Sequence, residues 1–310
     1  MSVDALIDRI VKLQNPTVVG LDPNPAAMPP QLLEQARGDN PFERAANAVT
    51  AFNFALIDTL CDIVPAVKPQ AACYEQLRYE GMRAYFDTIR YAKEHGMYVI
   101  ADAKRGDIGS TCDYYANAFL GKLALYGESL PVFDADALTV NPYLGSDGIH
   151  PFLKRCDEFD KMMFLLVKTS NPSSGEFQDR ILEGAPLYEQ VGRAADALGE
   201  GRIGSFGYSS VGAVVGATYP AQLASLRKAL PHTFFLVPGY GAQGGTAQDV
   251  AAAFDARGLG AIVNASRSII CAWSKKNRPA EDFAAAARDE ALFMREDLLS
   301  AIGHLIGEGN

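Results

Sequence analysis

A chain of 310 residues is long enough for one large α/β barrel or for two ordinary domains, so segment order has to decide between them. With 48% apolar and 21% charged residues it has the composition of a protein with a sizeable core, which excludes disorder as its main state. A formal net charge of −9 argues against the basic face of a duplex nucleic-acid binder, yet leaves room for a small anion held by one arginine and a ring of backbone N–H groups.

The N-terminal stretch up to Pro16 places Val3, Leu6, Ile7, Ile10 and Leu13 on one helical face, with Asp4 and Asp8 opposite. It has no basic segment leading into a pure apolar run, so it reads as neither a signal nor a transit peptide. No stretch approaches the ~18 consecutive apolar residues of a membrane span, and a cytoplasmic location is expected.

Short β-rich runs then alternate with helical patterns. The strands are expected at Thr17–Asp22, Ile63–Lys68, Tyr98–Lys104, Ala137–Asn141, Met163–Thr169, Val211–Ala217, Phe234–Pro238 and Gly260–Ala265. The strongest helical patterns cover Phe42–Cys61, Tyr74–Glu94, Thr111–Tyr126, Pro186–Leu198, Pro220–Ala229 and Thr246–Phe254, and Asn40-Pro41 is a cap followed by a first-turn proline. Two long polar loops, Asn24–Asn40 and Asn171–Gly184, separate them. Eight βα repeats without a linker, low-complexity tract or internal repeat predict an α/β protein with a single (β/α)8 barrel over residues 1–310. A doubly wound sheet would place its glycine-rich turn after the first strand; here that turn follows the seventh, where barrels build a phosphate site.

Residues two apart in a strand share a face, so Asp102 and Lys104 end the third strand side by side. Asp22 ends the first strand on the face of Gly20 and Val18, and Lys68 ends the second on the face of Ala66 and Val64. Any one of these groups alone is best read as part of a surface salt bridge. Four at successive strand ends, alternating in sign, point to a catalytic mouth. Gly239-Tyr-Gly-Ala-Gln-Gly244 matches GxGxxG but comes too late in the chain for a dinucleotide fingerprint. It suits a loop whose N–H groups grip phosphate, assisted by the following helix start and by Arg267 just past the eighth strand.

Other residues carry less. Cys61, Cys73, Cys112, Cys156 and Cys271 are widely spaced and read as reduced, mostly buried thiols. His95, His150, His232 and His304 stand apart from one another and from ligand spacing, so no metal site is expected. Trp273 and the Tyr114-Tyr115 pair read as packing residues, and neither Gx4GK[ST] nor GxSxG occurs.

Asp102-Ala-Lys104-Arg-Gly-Asp107-Ile-Gly-Ser-Thr111 resembles the signature of the orotidine 5′-phosphate decarboxylase family. The resemblance extends to Gly20-Leu-Asp22, Val67-Lys68-Pro, Thr169-Ser170-Asn-Pro172, Pro238-Gly-Tyr-Gly-Ala-Gln243-Gly-Gly and Arg267, in the family's order. It is closest to the longer bacterial branch, with Ser173-Ser174 after Pro172 and long loops before Phe42 and after Asn171 as departures from the compact members. It implies a decarboxylase of pyrimidine (UMP) biosynthesis that needs neither metal nor cofactor. Lys104 would protonate C6 as CO2 leaves, Asp102 and Asp107 would flank the substrate carboxylate and keep Lys104 cationic, and Lys68 would complete the charge array. Asp22 would bind a ribose hydroxyl, Ser170 the pyrimidine edge, and Gln243 and Arg267 the phosphate. The family's homodimers imply that Asp107 and Thr111 act in the neighbouring subunit's site. No membrane or nucleic-acid partner is implied. Two rivals stay open at this point: a Mg2+-dependent sugar-phosphate enzyme of the same barrel superfamily, and a catalytically silent nucleotide-binding barrel. Against the first, Lys68 stands where such enzymes offer the metal a carboxylate.

Overall fold

Eight short strands form one parallel sheet that closes on itself: β1 (Thr17–Leu21), β2 (Ala66–Pro69), β3 (Tyr98–Arg105), β4 (Ala137–Val140), β5 (Met162–Lys168), β6 (Ser209–Val215), β7 (Thr233–Pro238) and β8 (Ala261–Ala265). The computed structural model describes residues 1–241 and 244–307. Each strand pairs with its neighbours in sequence, and β8 returns to β1 with Thr17 opposite Val263. This is the (β/α)8 barrel expected from the eight alternating patterns.

The period of two sorts side chains into two apolar layers. Val19, Leu21, Val67, Val99, Leu138, Leu165, Val211, Phe235 and Val263 face outward and pack under the surrounding helices. Val18, Ala66, Tyr98, Ile100, Met162, Phe164, Phe234 and Ile262 form the other layer, inside the ring. The N-terminal helix Ser2–Leu13 buries Val3, Leu6, Ile7 and Ile10 against that inner layer. It therefore closes the end of the barrel where the strands begin. Each of these four side chains contributes roughly 1.5–3 kcal/mol by leaving water. Leu13, expected on the same face, is only half-buried because the helix ends there and Gln14 turns left-handed (φ 47°).

Several expectations are corrected. Val64 precedes β2 and packs with the helix layer, not on the face of Lys68. The pattern over Tyr74–Glu94 divides into Ala71–Glu75 and Arg78–Glu94. Gly81 approaches the Tyr74 carbonyl so closely that an added Cβ would lie 2.0 Å from it, and Arg78 takes up the break at φ 63°. The helix expected over Thr111–Tyr126 runs only from Gly109 to Leu120. Beyond Gly121 the chain forms an antiparallel hairpin, Lys122–Leu125 with Glu128–Pro131. Tyr126 and Gly127 turn it with φ of 52° and 87°, the left-handed pair that a two-residue hairpin turn requires.

The loop Asn24–Asn40 contains a short helix, Pro30–Gln35, and the Asn171–Gly184 loop contains a 3-10 turn over Pro172–Glu176. The stretch after β8 carries a 20-residue helix, Phe283–Ile302, packed beside Pro41–Leu60. Asn40 caps the latter helix as expected, its side-chain oxygen accepting the Glu43 N–H at 3.0 Å. Of the five cysteines, all unpaired, Cys112 and Cys156 are buried and the other three half-buried. Among the described residues no helix is long and apolar enough to cross a membrane.

Candidate active site

At the C-terminal end of the barrel a cavity of about 380 Å³ is lined by Asp22, Lys68, Gln70, Asp102, Lys104, Thr139, Ser170 and Asn264, among others. The strands deliver these groups in register. Gly20 pairs with Lys68 across β1 and β2, and a bridge joins Gln70 to Asp102. Between Ala101 and Arg105, β3 advances four residues while β4 advances only two, from Leu138 to Val140. Such a bulge re-aims side chains at a barrel rim. Here it brings both Asp102 and Lys104 to the cavity, with Lys104 in the left-handed region at φ 48°. A non-glycine residue held there stores roughly 1–3 kcal/mol. The Lys104 N–H is anchored on the Thr139 hydroxyl at 2.9 Å.

Asp102 is the centre of the array. One carboxylate oxygen accepts from Lys68 at 2.5 Å and from Gln70 at 3.0 Å; the other accepts from Lys104 at 2.6 Å and from the Thr139 hydroxyl at 3.0 Å. Burial alone would raise its carboxyl, but the charges and hydrogen bonds of Lys68 and Lys104 overcome this and hold it well below the usual carboxylate range. Burial alone would likewise lower the Lys68 ammonium, yet Asp102 and then Asp22 push it above the ordinary lysine value. Lys68 is buried, whereas the Lys104 side chain is 45% exposed, so the second ammonium faces whatever enters the cavity.

Among the described residues, Asp22 Oδ1 and Asn264 Oδ1 are buried without a hydrogen-bond partner, so both are acceptors at the cavity wall suited to hydroxyl or N–H donors. Asp22 thus joins the array as a neighbouring charge without a direct bond to Lys68.

Asp22, Lys68, Asp102, Lys104 and Ser170 are brought together; Asp107 and Thr111 are not. Asp107 is half-buried, with its carboxylate accepting the N–H of Ile108 at 2.8 Å, and Thr111 is exposed on the helix Gly109–Leu120. Neither lines the cavity of its own chain. Gln243 lies outside the described residues. Arg267 is exposed at the start of a short helix, Arg267–Ile270, and makes no ion pair among the described residues.

The glycine-rich loop folds back on itself through Gly241 N–H to the Gly245 carbonyl (2.8 Å), with Gly239, Gly241 and Gly244 all at positive φ. It adjoins the loop after β8: a side chain at Gly241 would meet Ser268 at 3.7 Å. The helix after it, Ala247–Ala251, is closed by its own capping box of Thr246 and Asp249. Its start therefore offers an anion less than the sequence promised.

Sequence reasoning missed Gln70, Thr139 and Asn264. Each lies two residues from a position already on the inner face (Lys68, Ala137 and Ile262), so strand alternation carried the signal. Among the described residues no three His, Cys, Asp or Glu side chains gather as a metal site would require. A wider hollow of about 510 Å³ by His150, Lys154 and Arg202 lies outside this array, and its arginine is already paired with Asp157.

Similarity to known proteins agrees with this geometry. A family model described as "Orotidine 5'-phosphate decarboxylase / HUMPS family" matches residues 18–281. A protein of Rhodopirellula baltica named orotidine 5′-phosphate decarboxylase is 45% identical over 278 residues, covering 90% of this chain and 89% of that one. One of the same name from Caldicellulosiruptor bescii is 39% identical, covering 96% and 98%. The solved structure of Leishmania donovani OMP decarboxylase superposes with a TM-score of 0.69 at 31% identity, covering 95% and 99%. Motif, barrel and charge array thus converge with these matches, and the chain belongs to the orotidine 5′-phosphate decarboxylase / HUMPS family.

Proposed function

We propose that this chain, acting as one catalytic domain, converts orotidine 5′-phosphate to UMP and CO2 without a metal or organic cofactor. The observation that carries the reading is the unbroken Lys68–Asp102–Lys104 chain of ion pairs at the wall of a cavity of ligand size. In the reaction the bond from C6 to the carboxylate carbon breaks, its electron pair stays on C6, and a proton from Lys104 Nζ replaces the lost CO2. That pair lies in the ring plane without conjugation, so the barrier reduction required is ~20 kcal/mol or more. A fixed ammonium meets the developing charge without reorganising at the moment of reaction. Asp102 orients the ammonium, Lys68 keeps Asp102 ionised, Asp22 takes a ribose hydroxyl and Ser170 the pyrimidine edge. Gln243, Arg267 and the glycine loop would hold the phosphate, so that remote binding energy supports the chemical step.

The test is an ultraviolet assay of orotidine 5′-phosphate loss by the full chain with a chelator present. Steady turnover is expected; its abolition by the chelator would move the chain to the metal-dependent branch of the family, and tight nucleotide binding without turnover would mark a silent barrel.

Our reading extends to a homodimer in which Asp107 and Thr111 serve the neighbouring site. It is supported by their standing away from their own cavity, and by the exposed apolar side chains Ile108 and Tyr114 that flank them in sequence, which a second copy would cover. Mixing inactive Lys104→Ala with inactive Asp107→Ala chains should restore up to about a quarter of wild-type activity, because one composite site in a hybrid dimer would be intact. No recovery after demonstrated subunit exchange would refute the shared site.

A further inference from the structure

Lys168 ends β5 fully buried, although it takes no part in the charge array of Lys68 and Lys104. Its ammonium donates to the Asp179 carboxylate at 2.7 Å and to the Ser174 hydroxyl at 3.0 Å, and lies 4.4 Å from the centre of the Tyr219 ring. A lysine withdrawn this far from water needs partners for its charge. Asp179 and Ser174 both come from the loop that follows it. That loop has little apolar anchorage of its own, since Phe177, Ile181 and Leu182 are exposed. Its other ties are polar: the Gln178 side chain accepts the Thr169 N–H at 2.9 Å and donates to the Thr169 hydroxyl at 2.7 Å. Between the buried lysine and this knot lie Thr169, Ser170 and Asn171, all three lining the cavity. Ser170 rests on Gly216 so closely that an added Cβ there would come within 2.8 Å of it.

We infer that Lys168 is a positioning residue for recognition of the nucleotide base: by gripping Asp179 and Ser174 it folds the loop so that Thr169, Ser170 and Asn171 stand fixed at the cavity edge. This rests on the nucleotide reading above. On that reading the phosphate is held elsewhere, by the loops after β7 and β8, so the two halves of a nucleotide report on different parts of the site.

The experiment measures binding of UMP and of ribose 5-phosphate, which lacks the base, to the full chain and to Lys168→Met. UMP affinity should fall about tenfold or more, the size of a lost charge-assisted contact, while ribose 5-phosphate changes less than about threefold. The KM for orotidine 5′-phosphate should rise by a factor similar to the UMP loss, with a smaller change in kcat. Asp179→Asn, at an exposed position that leaves the barrel core untouched, should reproduce the base-selective loss, and Asp179→Glu should recover part of it. Equal losses for both ligands, or unchanged UMP affinity in Lys168→Met or Asp179→Asn, would overturn the inference alone. A wild-type chain that binds neither ligand would overturn the nucleotide reading and this inference with it.

Discussion

Lys104→Ala is expected to lower kcat for orotidine 5′-phosphate by about 10⁴-fold or more, while UMP binding survives in part through the phosphate loop. The substitution removes two contributions at once. A positioned general acid is worth ~10²–10⁴ and a preorganised charge at the developing carbanion ~10²–10³. The fold should hardly notice: Asp102 keeps Lys68, Gln70 and Thr139, and the Lys104 side chain is already 45% exposed. Pre-steady-state and steady-state rates alongside thermal denaturation would separate the two effects. A variant with roughly wild-type melting that retained more than about 1% of kcat would remove Lys104 from the proton-donor role.

Asp102→Ala has the opposite profile and should cost stability as well as activity. It leaves the Lys68 ammonium buried without its counter-charge, which typically destabilises by about 3–5 kcal/mol. Urea denaturation would measure the loss, and adding Lys68→Met should recover a substantial part of it, because removing both partners of a buried pair is far cheaper than removing one. The pH dependence has a definite sign. Asp102 is held below its ordinary value when folded, so its contribution is present above about pH 4 and is lost as pH falls toward the depressed value. Lys68 is held above its ordinary value, so its contribution is complete below about pH 10 and is lost as pH rises through the raised one. The wild-type chain should therefore show acid and alkaline limbs that flatten in Asp102→Ala. A single mutant as stable as wild type at pH 7 would show that the array carries no folding energy.

Much of the barrel was legible because eight βα repeats with the glycine-rich turn after the seventh strand favour a closed parallel sheet over an open one, and the strand ends fell within about three residues of expectation. The charged residues of the site were legible in part: alternation put Asp102 and Lys104 on one face, while the way both reach the cavity also depends on the bulge in β3. Helix ends were less legible where a tertiary contact set them. The Gly81 approach to the Tyr74 carbonyl and the Tyr126-Gly127 turn both cut patterns that are helical by periodicity alone. The bulge in β3 and the left-handed Lys104 were invisible because they arise from a mismatch between neighbouring strands. Gln70, Thr139 and Asn264 were passed over as neutral residues, although each obeys the same alternation as the charges beside it. The burial of Lys168 was hidden because its partners, Ser174 and Asp179, belong to a stretch that reads as an open polar loop.

The helix that stops the far end of the barrel leaves the reaction chamber open at the end where the strands finish. Val3, Leu6, Ile7 and Ile10 share one buried apolar cluster with Tyr98 and Phe164, so the floor of the chamber is packed with side chains. Substrate and both products then share the loop-lined end of the chamber, so the same loops that admit the nucleotide also stand on the way out for the freed CO2.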